Sequence, residues 1–135
     1  MAGLVTLLTD FGTRDAYVAA MKGVILSVRP GTQIVDVSHD VPSQDIVEGA
    51  WVLASAFRYF PPATVHVAVV DPGVGGPRRA IAASAGEWLF VGPDNGLLSW
   101  ALDAAGDVRA VELTDRKSTR LNSSHIQKSR MPSSA

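Results

Sequence analysis

The chain has no cysteine among its 135 residues, and this absence excludes several kinds of site. Disulfide frameworks, zinc-thiolate centres and cysteine nucleophiles all need that residue. A chain without cysteine is typical of a reducing compartment, so we expect a cytoplasmic protein. Any reactive site must be built from oxygen and nitrogen side chains.

Long hydrophobic runs are also missing. The longest stretch without a charged residue, residues 59–70, contains two prolines and a histidine and is too short to span a bilayer. The first charged residue is Asp10 rather than a Lys/Arg cluster, so we expect no secretory signal. Charged residues make up only 19% of the chain and hydrophobic residues 47%, which favours a folded domain. We expect neither a membrane nor a nucleic acid as partner.

The formal net charge of −1 conceals an uneven distribution of charge. Residues 115–135 carry five of the 12 basic groups, one of the 13 acidic groups and six serines. Residues 1–114 therefore hold 7 basic and 12 acidic groups, a net charge of −5. The basic segment has no apolar period, and we expect it to be disordered. The sequence divides into an acidic body and a basic tail.

Strand and helix patterns alternate along the body. Apolar spacings of three and four residues predict a helix from Tyr17 to Val28, a second helix opened by Ser43, and a short helix over 97–102. Short apolar runs predict strands at 4–9, 33–37, 64–70, 80–84, 88–91 and 108–113. This alternation predicts an α/β fold, a mainly parallel sheet with helices on both faces in a three-layer α/β/α arrangement.

Aspartates follow the ends of the predicted strands. In parallel sheets, ligand-binding groups collect in the loops at the carboxyl ends of the strands. Those loops span residues 10–13, 36–40, 71–77 and 92–96, and each contains an aspartate. This pattern is the main functional signal in the sequence.

Asp10 directly follows the first strand. A carboxylate in that place can accept two hydrogen bonds from a ribose diol. It can equally cap the turn or the next helix. In the loop of residues 92–96, Asn95 has the same two interpretations, as a turn former or as part of a cleft.

Residues 71–79 are rich in glycine, but their spacing is not that of a phosphate-binding loop and they lead into a strand rather than a helix. A tight reversal could bring Arg78 back towards Asp71. In a cleft, such a pair would keep the carboxylate ionised and could orient a water molecule. On the surface it would be an ion pair of little value.

Two histidines of the body need an interpretation. His39 lies three residues after Asp36, but no third ligand or Glu-x-x-His pair accompanies them, so we expect no metal. His66 lies within a strand of valines and alanines and is interpreted as a core residue. Neither histidine accompanies a serine in a nucleophile elbow, which excludes that hydrolytic triad.

Four motifs in the body resemble those of one family. Residues 6–26, 34–50, 67–79 and 89–98 are similar, in order, to the S-adenosyl-L-methionine (SAM) hydroxide adenosyltransferases. These SAM hydrolases are grouped with the SAM-dependent chlorinases and fluorinases. The resemblance implies an enzyme that displaces methionine from the ribose C5′ of SAM, yielding adenosine when water attacks, with SAM as substrate and no cofactor or metal.

The resemblance also implies roles for particular residues. Asp10 matches a carboxylate that holds the ribose hydroxyls, and Phe11 and Asn95 join it as candidate substrate contacts. Asp71 and Arg78 match two members of an Asp–Arg–His set that positions and activates water. The halogenases carry tyrosine where Asp71 stands, so this chain favours water over halide. The alternatives are a SAM-dependent halogenase and a non-catalytic module that binds adenosine or SAM.

Two parts of the family pattern have no match in this sequence. The third member of the set, a histidine in a Phe-His-Gly-Arg-Asp-like motif, is missing, as is a second, β-barrel domain. The family's active site lies between subunits of a trimer. We therefore expect residues 1–114 to be a truncated N-terminal domain of a homotrimeric parent, inactive alone. Residues 115–125 resemble the translation of a sequencing adapter, so we expect the tail of residues 115–135 to be non-native.

Overall fold

A computed structural model describes residues 3–72 and 79–114 of the chain. The candidate residue Arg78 and the predicted tail lie outside these ranges. The elements in chain order are β1 (Leu4–Thr9), α1 (Tyr17–Val28), β2 (Gln33–Ser38), α2 (Ile46–Ala56), a 3₁₀ turn (Phe57–Tyr59), β3 (Val65–Val69), β4 (Ala80–Ala85), β5 (Trp88–Pro93), α3 (Ser99–Ala105) and β6 (Arg109–Leu113). None of the helices in these ranges is long and apolar enough to cross a membrane.

The six strands form one sheet in the order β2-β1-β3-β5-β4-β6. Strands β2, β1, β3 and β5 pair in parallel, whereas β4 pairs antiparallel with both β5 and β6. Within the described residues, β4 is the one strand that runs against the others. The predicted mainly parallel sheet is confirmed, and the departure from it comes from the tight β4–β5 hairpin at Gly86, where φ is +58°.

Helices lie on both faces of the sheet. The β1–α1–β2 and β2–α2–β3 connections move in opposite directions along the sheet, so right-handed crossovers place α1 and α2 on opposite faces. Helix α3 packs beside α2. The predicted α/β fold with helices on both faces is therefore confirmed.

The core lies between the sheet and the layer formed by α2 and α3. It is built from alternate residues of the strands and the inner sides of the two helices, including Leu8, Leu53, Phe57, Ala68, Phe90, Leu98 and Leu102. Gly92 lies where β5 closely approaches its parallel neighbour β3, because a Cβ there would stand 2.6 Å from the carbonyl oxygen of Ala68. This packing fixes the carboxyl ends of β3 and β5 relative to each other.

The opposite face of the sheet is only partly covered. No residue of α1 is buried, and Tyr17, Val24 and Val28 are 64%, 64% and 79% exposed. The apolar spacing predicts the helix correctly. Of the apolar residues at that spacing Met21 is half-buried, and the less exposed side also carries Val18, Lys22 and Ile25. Helix α1 thus leaves apolar side chains facing outward.

The starts of two helices differ from the prediction. Helix α2 begins at Ile46 rather than at Ser43, because the Asp45 carboxylate accepts a hydrogen bond of 3.0 Å from the Glu48 N–H and caps the helix. Helix α3 begins at Ser99 rather than at residue 97. There the side-chain oxygen of Asn95 accepts a hydrogen bond of 3.0 Å from the Leu97 N–H, which holds the preceding residues in a turn.

Candidate functional site

The carboxyl ends of β1, β2, β3 and β5 lie along one side of the sheet, which we call the carboxyl edge. It comprises residues 10–13, 39–45, 71–72 and 94–98, together with Arg79. Thr9 of β1 is paired with Val69 of β3, so Asp10 and Asp71 leave neighbouring strands that are about 4.8 Å apart. The sequence predicted that these loops share one edge of the sheet, and the strand pairing places their described residues there.

Asp10 is half-buried and held from across the carboxyl edge. Its Oδ2 accepts a hydrogen bond of 2.6 Å from the backbone N–H of Gln44, a residue in the left-handed region with φ of +63°. Helix α1 begins only at Tyr17, so Asp10 does not cap it. The contact fixes the direction of the carboxylate and leaves further lone pairs on both of its oxygens.

Phe11 places an aromatic ring beside this carboxylate. The ring is tilted against that of Tyr17, with the centroids 5.9 Å apart. The backbone N–H of Phe11 donates a hydrogen bond of 3.1 Å to Oγ1 of Thr9. The loop after β1 therefore combines a fixed carboxylate with a half-buried aromatic side chain.

His39 is the centre of a chain of side-chain hydrogen bonds. Its Nδ1 lies 2.7 Å from Oγ1 of Thr9, and its Nε2 lies 2.8 Å from Oδ1 of Asp36. The other oxygen of Asp36 accepts a hydrogen bond of 2.8 Å from Nζ of Lys22. Burial raises the pKa of Asp36, but the hydrogen bonds from Lys22 and His39 outweigh it and hold that pKa below the usual value.

These hydrogen bonds of His39 argue against two kinds of site, a metal centre and a nucleophilic triad. Both ring nitrogens of His39 are engaged by protein side chains, so neither is directed at a metal ion. Residues 3–72 and 79–114 contain no cluster of three potential metal ligands. The Thr9–His39–Asp36 order also resembles a nucleophilic triad, but Thr9 is fully buried, so its hydroxyl cannot reach a substrate. The sequence showed the spacing of Asp36 and His39 but gave no local signal for Thr9.

Asn95 braces the end of β3 immediately before Asp71. Its Nδ2 donates a hydrogen bond of 3.0 Å to the carbonyl of Val70, while its Oδ1 accepts from Leu97. The amide is thus engaged on both sides by backbone groups. Its position places it beside the half-buried Asp71, whose predicted partner Arg78 lies outside the described residues.

His66 is a core residue, as the sequence predicted. It is fully buried, with Nδ1 2.7 Å from Oγ1 of Thr6 and its ring among those of Phe57, Phe60 and Phe90. Its Nε2 has no hydrogen-bond partner among the described residues. Burial lowers the pKa of His66 to about 4, and the backbone of Phe57 offsets only part of that shift.

The carboxyl edge is acidic. It carries five aspartates, namely Asp10, Asp40, Asp45, Asp71 and Asp94, of which Asp45 caps α2. Among the described residues near this edge, Lys22 is paired with Asp36, Nη1 of Arg79 lies 3.7 Å from Oε1 of Glu112, and Arg14 is exposed after the loop of residues 10–13. This excess of negative charge favours a cationic ligand over an anionic one.

Comparison with known proteins gives relatives of two activities. The chain is 56% identical over 113 residues to an (R)-S-adenosyl-L-methionine hydrolase of Salinispora tropica, covering 83% of this chain and 43% of that protein. It is 30% identical over 137 residues to a fluorinase of an Actinoplanes species, covering 84% of this chain and 46% of the fluorinase. The hydrolase is the nearer of these two relatives.

A solved structure agrees with the fold. The crystal structure of a conserved hypothetical protein from Thermus thermophilus has a TM-score of 0.77 and 45% identity, covering 87% of this chain and 48% of that one. The chain therefore spans less than half the length of each of these relatives. A family model described as the SAM hydroxide adenosyltransferase N-terminal domain matches residues 5–131. The chain belongs to this family.

Proposed function

We propose that this chain supplies the ribose-binding half of an enzyme that hydrolyses SAM to adenosine and methionine. The observation that carries the proposal is the placement of Asp10 and Asp71 after neighbouring strands, with the Asp10 carboxylate fixed by the Gln44 N–H. The names of the hydrolase relatives support the same reaction.

The chemistry of SAM fits this arrangement. A sulfonium is already a good leaving group, so the reaction needs alignment and a nucleophile rather than a cofactor. Asp10 binds the ribose hydroxyls through the lone pairs that Gln44 leaves open. Asp71, with Arg78, orients water for attack at C5′. The C5′–O bond forms as the C5′–S bond breaks, the electron pair goes to sulfur, and the water loses one proton to the Asp71 carboxylate, which then releases it to solvent.

The second candidate is halide transfer, which the fluorinase relative favours. The acidic carboxyl edge argues against it, because a carboxylate close to the reacting carbon repels an attacking anion. By the resemblance of the motif at residues 67–79, Asp71 matches the position at which the halogenases of this family carry tyrosine. We therefore favour water as the nucleophile.

A chimera tests this proposal. Residues 1–114 are joined to the part of the Salinispora tropica hydrolase that follows its matched region. We expect the chimera to release adenosine and methionine in equal amounts from SAM, and Asp71→Asn to lower kcat about 100-fold or more through loss of the base. Asp94→Asn, at the same edge, is the matched control and should leave kcat nearly unchanged.

Two other results would separate the alternatives. A 5′-halogenated nucleoside formed in chloride or fluoride would establish the halogenase. SAM binding with no turnover in a folded chimera would establish a binding module.

The setting of the enzyme is part of the proposal. We propose a cytoplasmic homotrimeric parent whose second domain completes the site, so that this chain alone does not turn SAM over. We also propose that residues 115–135 are non-native. Genomic DNA read across the Thr114 codon decides this, since an uninterrupted tail sequence in clean DNA would contradict it.

A further inference from the structure

His39 holds the loop that carries Asp10 at two points. Its ring nitrogen Nδ1 contacts Oγ1 of Thr9 at 2.7 Å, and its backbone carbonyl accepts a hydrogen bond of 2.8 Å from the Gly12 N–H. Asp10 and Phe11 are the residues between these two points. His39, in the loop after β2, is therefore hydrogen-bonded to both ends of the segment that contains Asp10, the residue proposed to bind ribose.

The hydrogen bonds that link Phe11, Thr9, His39 and Asp36 all donate in the same direction, towards Asp36. Asp36 offers only acceptors, so Nε2 of His39 carries the proton in their 2.8 Å contact. In the neutral ring Nδ1 is then an acceptor, and the Thr9 hydroxyl donates to it. Oγ1 of Thr9 in turn accepts from the N–H of Phe11 at 3.1 Å. The tautomer of one imidazole thereby sets the orientation of the backbone beside Asp10.

Because Thr9 and His39 are buried, loss of their hydrogen bond would be costly. Thr9 is fully buried and His39 is 6% exposed, so water cannot replace either partner if the contact is lost. Asp10 itself is held by a different residue of the same loop, since its Oδ2 accepts from the Gln44 N–H. A shift of the Thr9–Gly12 segment would therefore stretch the Asp10–Gln44 contact directly.

We propose that His39 is a positioning residue that fixes the Asp10 carboxylate for the ribose hydroxyls, in a role that rests on the proposed function. It acts through Thr9 and Gly12 and does not touch the substrate. Asp36, which also accepts a hydrogen bond from Lys22, holds the proton of His39 on Nε2. Loss of the Nδ1 acceptor should leave the fold intact and loosen Asp10.

Two substitutions separate this role from simple packing. In His39→Asn, the carboxamide oxygen takes the place of Nδ1 and can still accept from Thr9. In His39→Gln, the carboxamide reaches towards Asp36 but leaves Thr9 without its acceptor. A positioning role predicts different outcomes for the two variants, whereas a merely structural histidine predicts similar losses in both.

Amide hydrogen exchange on the full chain reads the position of Asp10, because the Gln44 N–H bonds to its carboxylate. We expect His39→Gln to speed exchange at Phe11 and Gln44 about tenfold, the loss of one buried hydrogen bond, with Ala68 in the core unchanged. His39→Asn should restore slow exchange at both. Unchanged exchange at Gln44 in His39→Gln, or equal acceleration in both variants, would overturn the proposal.

A measurement on the unmutated chain tests the proposal even if the His39 variants fail to fold. In spectra recorded over a range of pH, the nitrogen-15 signals of the neutral His39 ring should show the proton on Nε2 and a bare Nδ1. A proton on Nδ1 instead would overturn the proposal without any substitution.

The link to ribose is tested separately by titrating adenosine and 2′-deoxyadenosine into the same proteins, with Asp10→Asn as the control. We expect the preference for adenosine to fall about tenfold in His39→Gln and to return in His39→Asn. An unmutated chain with no preference for adenosine would contradict the proposed function. The exchange data would still decide whether His39 positions Asp10.

Discussion

Two histidines of this chain, His39 and His66, have different roles because of what surrounds them. His66 lies in an alternating apolar strand, which is why the sequence predicts a core residue. Its partner Thr6 is 60 residues away and comes into contact only through the pairing of β1 with β3. The same holds for His39, whose spacing to Asp36 is visible in the sequence while its contact with Thr9, 30 residues away, is not.

Burial of His66 predicts acid sensitivity. Its folded-state pKa of about 4 lies below the ordinary value of 6.5, so the unfolded chain binds the proton more readily. The free energy of unfolding should therefore fall as pH drops from about 6.5 to about 4, by up to about 3 kcal/mol from this residue. Urea unfolding at a series of pH values measures it.

The control for this prediction is His66→Asn, which retains an acceptor for the Thr6 hydroxyl but cannot be protonated. It should be less stable than the unmutated chain at pH 7, and its stability should change less between pH 6.5 and 4. Equal slopes in the two proteins would show that His66 is not responsible.

At the scale of elements, the sequence predicted the strands better than the starts of the helices. Runs of β-branched and apolar residues define the strands locally, so their predicted bounds lie within one or two residues of those observed. The start of α2 could not be read in this way, because Ser43 and Asp45 are both good caps. The choice depends on Gln44, whose positive φ accompanies its long-range contact with Asp10.

The close approach of β5 to β3 at Gly92 gives a prediction, for which Gly23 of α1 supplies the control. Gly92→Ala would push a Cβ to 2.6 Å from the Ala68 carbonyl oxygen and should lower the free energy of unfolding by about 1–3 kcal/mol. Gly23→Ala is the matched control, since nothing lies within 4 Å of its Cβ position in α1. It should raise stability by about 0.5–1 kcal/mol, because alanine favours a helix interior. Thermal or urea unfolding of both variants tests this, and a neutral Gly92→Ala would contradict the close approach.

At the scale of the whole molecule, one side of the sheet leaves apolar side chains exposed. Leu89, Val111 and Leu113 are 41%, 38% and 44% exposed on the face that α1 only partly covers. Residues that alternate along a strand show which face they occupy, but not whether anything covers it. The sequence therefore predicted the three-layer arrangement and some exposed apolar surface, but not which side chains of this face stay exposed. The relatives are more than twice as long as the matched region.

The origin of the oxygen atom in the product is the most direct test of the proposed attack by water on SAM. The chimera of residues 1–114 with the rest of the Salinispora tropica hydrolase is incubated with SAM in water enriched in oxygen-18, and the adenosine is analysed by mass spectrometry. We expect one oxygen-18 atom on the 5′ carbon of adenosine, and loss of this product in Asp71→Asn. Unlabelled adenosine, or a 5′-halogenated nucleoside in its place, would contradict it.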